Sequence, residues 1–248
     1  MPAALDTQSP TGGGGWVDRL AASRPDWVLM GPFMVYLALL IPRDYILPYE
    51  WRAAASVLRG VGALLVVWMF RRHFPPWGKP YWLIAVPVGV LVAWGWVAGQ
   101  HFFNDLGLPQ QLPLPLFAGE FELVDPRDKL GTDGLFWVTV VTRIAVATTA
   151  VPIVEEIFWR AFLLRALINW RDFDKVPLGQ FTWFSFVGVS LLSAVEHPAN
   201  WGVSILCWMV YNALFCWKKS ISCLVITHAV TNLVLYVYVV GYHDWMFW

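Results

Sequence analysis

Apolar runs long enough to be membrane helices, separated by short clusters of charged residues and prolines, fill the chain from about Trp27 onward. The first, about Trp27 to Ile41, has Arg24 and Asp26 before it, Pro42-Arg43-Asp44 after it, and Pro32 in its first turns, where a proline is tolerated. A second, about Trp51 to Phe70, stops at Arg71-Arg72-His73 and Pro75-Pro76. A third, Tyr81 to about Val97, opens with the interface aromatics Trp77, Tyr81 and Trp82 and contains Pro87, which predicts a kink. From Leu135 to about Trp170 the pattern is helical for about 36 residues. At about 1.5 Å per residue that exceeds a bilayer core of about 30 Å, so the segment must tilt, kink or divide. Pro152 is the expected break. After the polar link Arg171 to Lys175 come three more runs, about Leu178 to Val195, Trp201 to Trp217 and Ile221 to Val240. The pattern predicts an all-α, polytopic transmembrane bundle of seven or eight helices.

Residues 99–132 interrupt this rhythm. Prolines from Pro109 to Pro115 precede the acids Glu120, Glu122, Asp125, Asp128 and Asp133, which predicts one long extramembrane loop with a short interfacial piece at 112–119. Residues 1–26, with four consecutive glycines at 12–15, read as a flexible tail without the layout of a signal peptide. The expected organisation is therefore a tail, 1–26, and a single transmembrane domain, 27–248, whose core is 133–240. The basic Arg71 to Lys79 link and the acidic loop place the former in the cytoplasm and the latter outside, by the positive-inside rule.

Composition agrees with a membrane protein: 58% of residues are apolar, 14% are charged, and the mean hydropathy is +0.55. The formal net charge of zero gives no footprint for nucleic acid. Cys207, Cys216 and Cys223 form no Cys-x-x-Cys pair, so they read as small core residues rather than a disulfide framework or zinc ribbon.

Within this apolar background a few polar side chains require an explanation. Glu155 and Glu156 are adjacent acids inside a hydrocarbon-like helix, and ionisable groups there are functional candidates by default. Glu156 and Arg160 stand at i,i+4 and can pair on one face, while Glu155 is turned about 100° away and can hold a water in a cavity. Later helices add Glu196-His197 and, four residues apart on one face, His228 and Asn232. A carboxylate and an imidazole around one water make a general base for attack on a carbonyl. A second imidazole with an amide can donate to the oxyanion that results. Each also has a structural reading. The acids and Arg160 would be a packing clamp, His197 a helix-end residue, Glu196 an interface carboxylate, and His228 with Asn232 an interhelical hydrogen-bonding pair. His101 and His243 fall in expected loops.

The series Glu155-Glu156-x-x-x-Arg160, His197 at the end of a later helix, and His228-x-x-x-Asn232 in a final helix resembles the CAAX-protease and bacteriocin-processing family of intramembrane endopeptidases. Its members include the type II CAAX prenyl endopeptidases. The resemblance covers about residues 133–240. It implies that Glu155 and His197 activate the nucleophilic water and that His228 and Asn232 stabilise the oxyanion. It also implies that Glu156 and Arg160 form a supporting ion pair that orients Glu155. The family's middle motif reads Phe-x-x-x-His, and this chain has Ser193 in place of the Phe, a departure expected to touch the pocket near His197.

Family members have been considered as metalloproteases and as metal-free glutamate proteases. The lack of a His-Glu-x-x-His pair favours no metal, although a Glu/His/His set can bind zinc. The implied partners are the lipid bilayer and a membrane protein or lipidated peptide, cut near its C-terminus. In a bacterial inner membrane that substrate could instead be a transmembrane sorting signal. Gly31-Pro32-Phe33-Met34-Val35-Tyr36-Leu37 resembles members linked to exosortase-type sorting systems. A non-catalytic membrane chaperone or immunity partner of the same fold is the alternative. A proton-coupled transporter would call for interrupted helices in both halves, and no internal repeat is visible.

Overall fold

The computed structural model describes residues 15–108, 112 and 125–248. The tail before Gly15 and, apart from Leu112, the proposed interfacial piece at 112–119 lie outside these residues. In chain order the helices are α1 (Trp16–Ser23), α2 (Pro25–Ala38), α3 (Arg52–Phe70), α4 (Trp82–Asp105) and α5 (Pro126–Leu130). They continue as α6 (Asp133–Thr148), α7 (Ala150–Glu156), α8 (Leu164–Ala166), α9 (Trp183–Glu196), α10 (Trp201–Lys218) and α11 (Ile221–Tyr242). There is no strand among the described residues. Five helical stretches are long and apolar enough to cross a membrane: Tyr49–Phe70, Trp82–Asp105, Asp133–Ala166, Pro198–Lys218 and Ile221–Tyr242. α2 and α9 are shorter, at 14 residues each. Large apolar side chains such as Leu83, Leu91, Leu65 and Val141 point outward, as lipid-facing residues do.

Several element boundaries differ from the sequence reading: α9 begins only at Trp183, five residues after Leu178, and α5 forms inside the expected loop. α1 forms within the expected tail, where Ala21 is buried and Asp18 meets His73 at 3.0 Å. α4 runs to Asp105, eight residues past Val97, so His101 belongs to a helix and contacts Asp244 at 3.0 Å.

α11 is the central element and packs against α4, α6, α7 and α10. It meets α4 tightly at Gly89, where an added Cβ would lie 2.6 Å from the Thr227 carbonyl oxygen and 2.8 Å from Val230 Cβ. The absence of a side chain there lets the backbones touch. Thr231 completes this seam: its hydroxyl accepts from Tyr211 Oη at 2.7 Å and lies 3.1 Å from the Gly89 carbonyl oxygen.

α9 and α10 join along a second seam of small polar residues. Ser204 Oγ donates to Ser193 Oγ at 2.9 Å, Ser193 Oγ to the Ser190 carbonyl at 2.7 Å, and Asn212 Nδ2 to Ser190 Oγ at 3.1 Å. Hydroxyls in apolar surroundings hold helices together in this way. Ser193, fully buried, is thus part of an interhelical seam and does not line the pocket near His197.

Candidate active site

The long segment divides, but one turn before Pro152. α6 ends at Thr148, and Thr149 leaves helical geometry at φ −120° and ψ −73°. A proline ring collides with the carbonyl four residues earlier and offers that carbonyl no N–H. For Pro152 that residue is Thr148, which explains why the break precedes the proline. α7 then carries Glu155 and Glu156 at its C-terminal end, and a wider π-helical turn, Ile157–Leu163, follows directly. Such turns occur frequently at functional sites.

The two acids have separate surroundings. Glu156 and Arg160 are completely buried, and Arg160 Nη1 lies 3.2 Å from both carboxylate oxygens of Glu156. His228 of α11 joins them, with Nδ1 2.9 Å from Glu156 Oε1. Since a carboxylate only accepts, Nδ1 carries the proton of that bond, and Nε2 is the ring nitrogen left for chemistry. Nε2 lies 3.8 Å from Glu155 Oε2. The contacts of the Glu156–Arg160 pair therefore run to His228, where the sequence reading had it orienting Glu155. Arg160 also lies 5.2 Å and 5.3 Å from the rings of Trp208 and Tyr211, so its charge is held by aromatic faces as well as by Glu156.

Glu155 faces α9. Its carboxyl group lies within 4.8 Å of the Glu196 carboxyl, and Glu196 Oε2 accepts from the indole N–H of Trp159 at 3.0 Å. His197 is the next residue, its ring set edge-on between Trp96 at 5.4 Å and Trp208 at 5.3 Å. The ligand-capable atoms of Glu155, Glu196 and His197 all lie within 4.8 Å of one another. Two carboxyl groups this close need a shared proton or a cation between them. Asn232 stands one turn after His228, but its Nδ2 donates at 2.7 Å to the carbonyl of Ala147, beside the α6 break.

Glu155, Glu196, His197, His228 and Asn232 all line one cavity of about 600 Å³, so the structure brings the four predicted catalytic side chains to a common space. Glu156 and Arg160 lie behind it. The residue that sequence reasoning underrated is Glu196. The available signals were its position next to His197 and the indole of Trp159 one turn after Glu155.

The donor set Glu155, Glu196 and His197 suits a zinc-like cation, since carboxylate oxygen and imidazole nitrogen are both ordinary zinc ligands. These three residues would hold it, and a cation there would acidify a bound water.

The comparisons locate the same part of the chain. Residues 137–234 match the family model described as type II CAAX prenyl endopeptidase Rce1-like, and that stretch runs from α6 into α11 and contains every site residue named above. No curated protein and no solved structure matches the chain. The helices long enough to cross a membrane and the matched family agree in kind, for CAAX-type proteases of this family act within membranes. This chain is accordingly an integral membrane protein that carries, across residues 137–234, an Rce1-like domain of the CAAX-protease and bacteriocin-processing family.

Proposed function

We propose that the protein is an intramembrane endopeptidase that hydrolyses a peptide bond near the C-terminus of a membrane-associated substrate. The observation that carries this reading is the convergence of Glu155, His197, His228 and Asn232 from separate segments on one cavity. Glu155 and His197 hold a water and Glu155 takes its proton as the hydroxide oxygen attacks the scissile carbonyl. Glu196, whose carboxyl lies within 4.8 Å of Glu155, shares that proton and returns it to the departing amine. The oxyanion forms beside His228 Nε2–H and the second N–H of Asn232, whose first is already committed to Ala147. For Nε2 to donate while Nδ1 remains bonded to Glu156, His228 must be an imidazolium, and Glu156 supplies the compensating charge. Arg160, 3.2 Å from both Glu156 oxygens, holds that carboxylate in place.

The chemistry suits a substrate presented from the lipid phase, either a prenylated peptide or the transmembrane sorting signal of an exported protein, in a bacterial inner membrane. The test is mass spectrometry of prenylated and transmembrane C-terminal peptides incubated with the purified protein in liposomes, beside Glu155→Ala. Cleavage by the wild type alone supports the proposal. Equal products from both proteins, or a biological role retained by Glu155→Gln, would overturn it in favour of a non-catalytic membrane partner.

A further inference from the structure

Three arginines, Arg43, Arg59 and Arg143, line the same cavity as the carboxylates, and among the described residues the acidic side chains in its lining are Glu155 and Glu196. Arg59 belongs to α3 and Arg143 to α6, both membrane-crossing stretches in which a guanidinium is costly unless something stabilises it. Arg59 is 7% exposed, its Nε donates at 3.2 Å to the Tyr36 carbonyl, and its guanidinium lies 3.9 Å from the centre of the Tyr36 ring. Arg143 Nε meets Tyr236 Oη at 3.3 Å, with the Trp248 ring 4.6 Å away. Both contacts use Nε. The terminal nitrogens of Arg59 and Arg143 have no hydrogen-bond partner and no carboxylate partner among the described residues. Arg43, whose Nε donates to Ser56 Oγ at 3.0 Å, stands at the same end. Tyr36 ties this end to the other: it lies within electrostatic reach of Arg59, Arg43, Arg143 and Glu155.

We infer that Arg59 and Arg143 form an anion subsite that takes the terminal α-carboxylate of the substrate. This rests on the proposed peptidase reading, because it deepens the use of that cavity. Guanidinium groups fixed at Nε present two parallel N–H bonds in the geometry a carboxylate accepts, and a desolvated site strengthens the contact. A volume of about 600 Å³ accommodates a peptide of a few residues. A chain end held by the arginines extends its backbone toward Glu155, so the position of the scissile bond is counted from the C-terminus. Arg59 lies outside residues 137–234, which gives the first half of the chain a part in substrate choice.

Isothermal titration calorimetry of the full-length wild-type protein in detergent tests this without relying on turnover. The probes are an N-acetylated apolar tripeptide with a free carboxylate and the same tripeptide as its C-terminal amide. The free acid is expected to bind at least about tenfold more tightly, with the preference reduced by salt. Arg59→Gln and Arg143→Gln should each diminish that preference, Arg59→Lys should retain part of it, and amide binding should be unchanged.

Equal binding of acid and amide, no binding of either at millimolar concentration, or a preference untouched by both arginine substitutions would overturn the subsite. So would a result in which the arginine variants lose only a co-purifying anionic phospholipid, detected by native mass spectrometry, while the peptide preference persists. Failure of hydrolysis with the binding preference intact would instead count against the peptidase reading alone.

Discussion

The two ends of the cavity treat charge in opposite ways. At the α7–α11 end the acids stand beside cations or donors: Glu156 has Arg160 and His228, Glu196 has Trp159, and Glu155 lies 3.8 Å from His228 Nε2. At the α3–α6 end Arg59 and Arg143 meet only a carbonyl, a phenol and aromatic rings. Burial alone does not distinguish them, since Glu155 and Arg59 are both nearly inaccessible. The difference lies in charge pairing. Acids set beside a guanidinium and an imidazole fix geometry for a reaction, whereas guanidinium groups with no acid beside them have capacity for a ligand.

The sharpest way to break this contrast is at Glu155. Glu155→Gln should lower kcat for peptide hydrolysis by about 10²–10⁴ while leaving thermal stability near wild type, measured by cleavage assay and differential scanning fluorimetry. If Arg59→Gln lowers kcat equally and leaves KM unchanged, the two ends are not functionally distinct. Next in size is the buried pair. Glu156→Gln strands Arg160 and should cost about 3–5 kcal/mol of stability, with the double change Glu156→Gln, Arg160→Met recovering part of it in denaturation experiments. A smaller loss, about 1–3 kcal/mol, is expected for Gly89→Val, which forces α4 away from Thr227 and Val230 without altering either set of charges.

The smallest effect comes from the same kind of pairing in water. Arg24 and Asp26 are joined at 2.7 Å on the surface, and the Arg24 hydrogen bond holds the Asp26 carboxyl below its ordinary value. A lowered carboxyl contributes stability above its unfolded pKa and loses it as pH falls through the lowered value. Asp26→Asn should nonetheless shift Tm at pH 7 by no more than about 1 °C, because exposed pairs contribute little.

Much of the fold was legible because hydrophobic length is a strong signal: the runs ending at Phe70 and Trp217 and the one from Ile221 onward match helices within a residue or two. The break near Pro152 was visible, but its place required the clash with Thr148. Glu155, His197, His228 and Asn232 stood out as polar residues in apolar surroundings. Their partners did not, because contacts such as His228 with Glu156 cross 72 positions and follow only from the packing of α7 on α11. Glu196 was concealed by its helix-end position before His197 and Pro198, where interface carboxylates are common. Arg59 was concealed by the run Trp51 to Phe70, which reads as a span whether or not it holds one cation. Ser193 shows the reverse case: its departure from the family motif was visible, and only the α9–α10 seam explains it.

α9 has a consequence for the lipid around the protein. Its 14 residues reach about 21 Å, short of a hydrocarbon layer of about 30 Å, and it terminates at Glu196 with the cavity. Acyl chains alongside it must compress, or headgroups and water must dip inward, and either deformation stores elastic energy in the membrane. On the proposed peptidase reading, that deformation would bring the aqueous boundary toward the cavity and shorten the path of the attacking water. Hydrolysis should consequently be faster in bilayers of short-chain lipids than in thick ones, a dependence set by the membrane's mechanics.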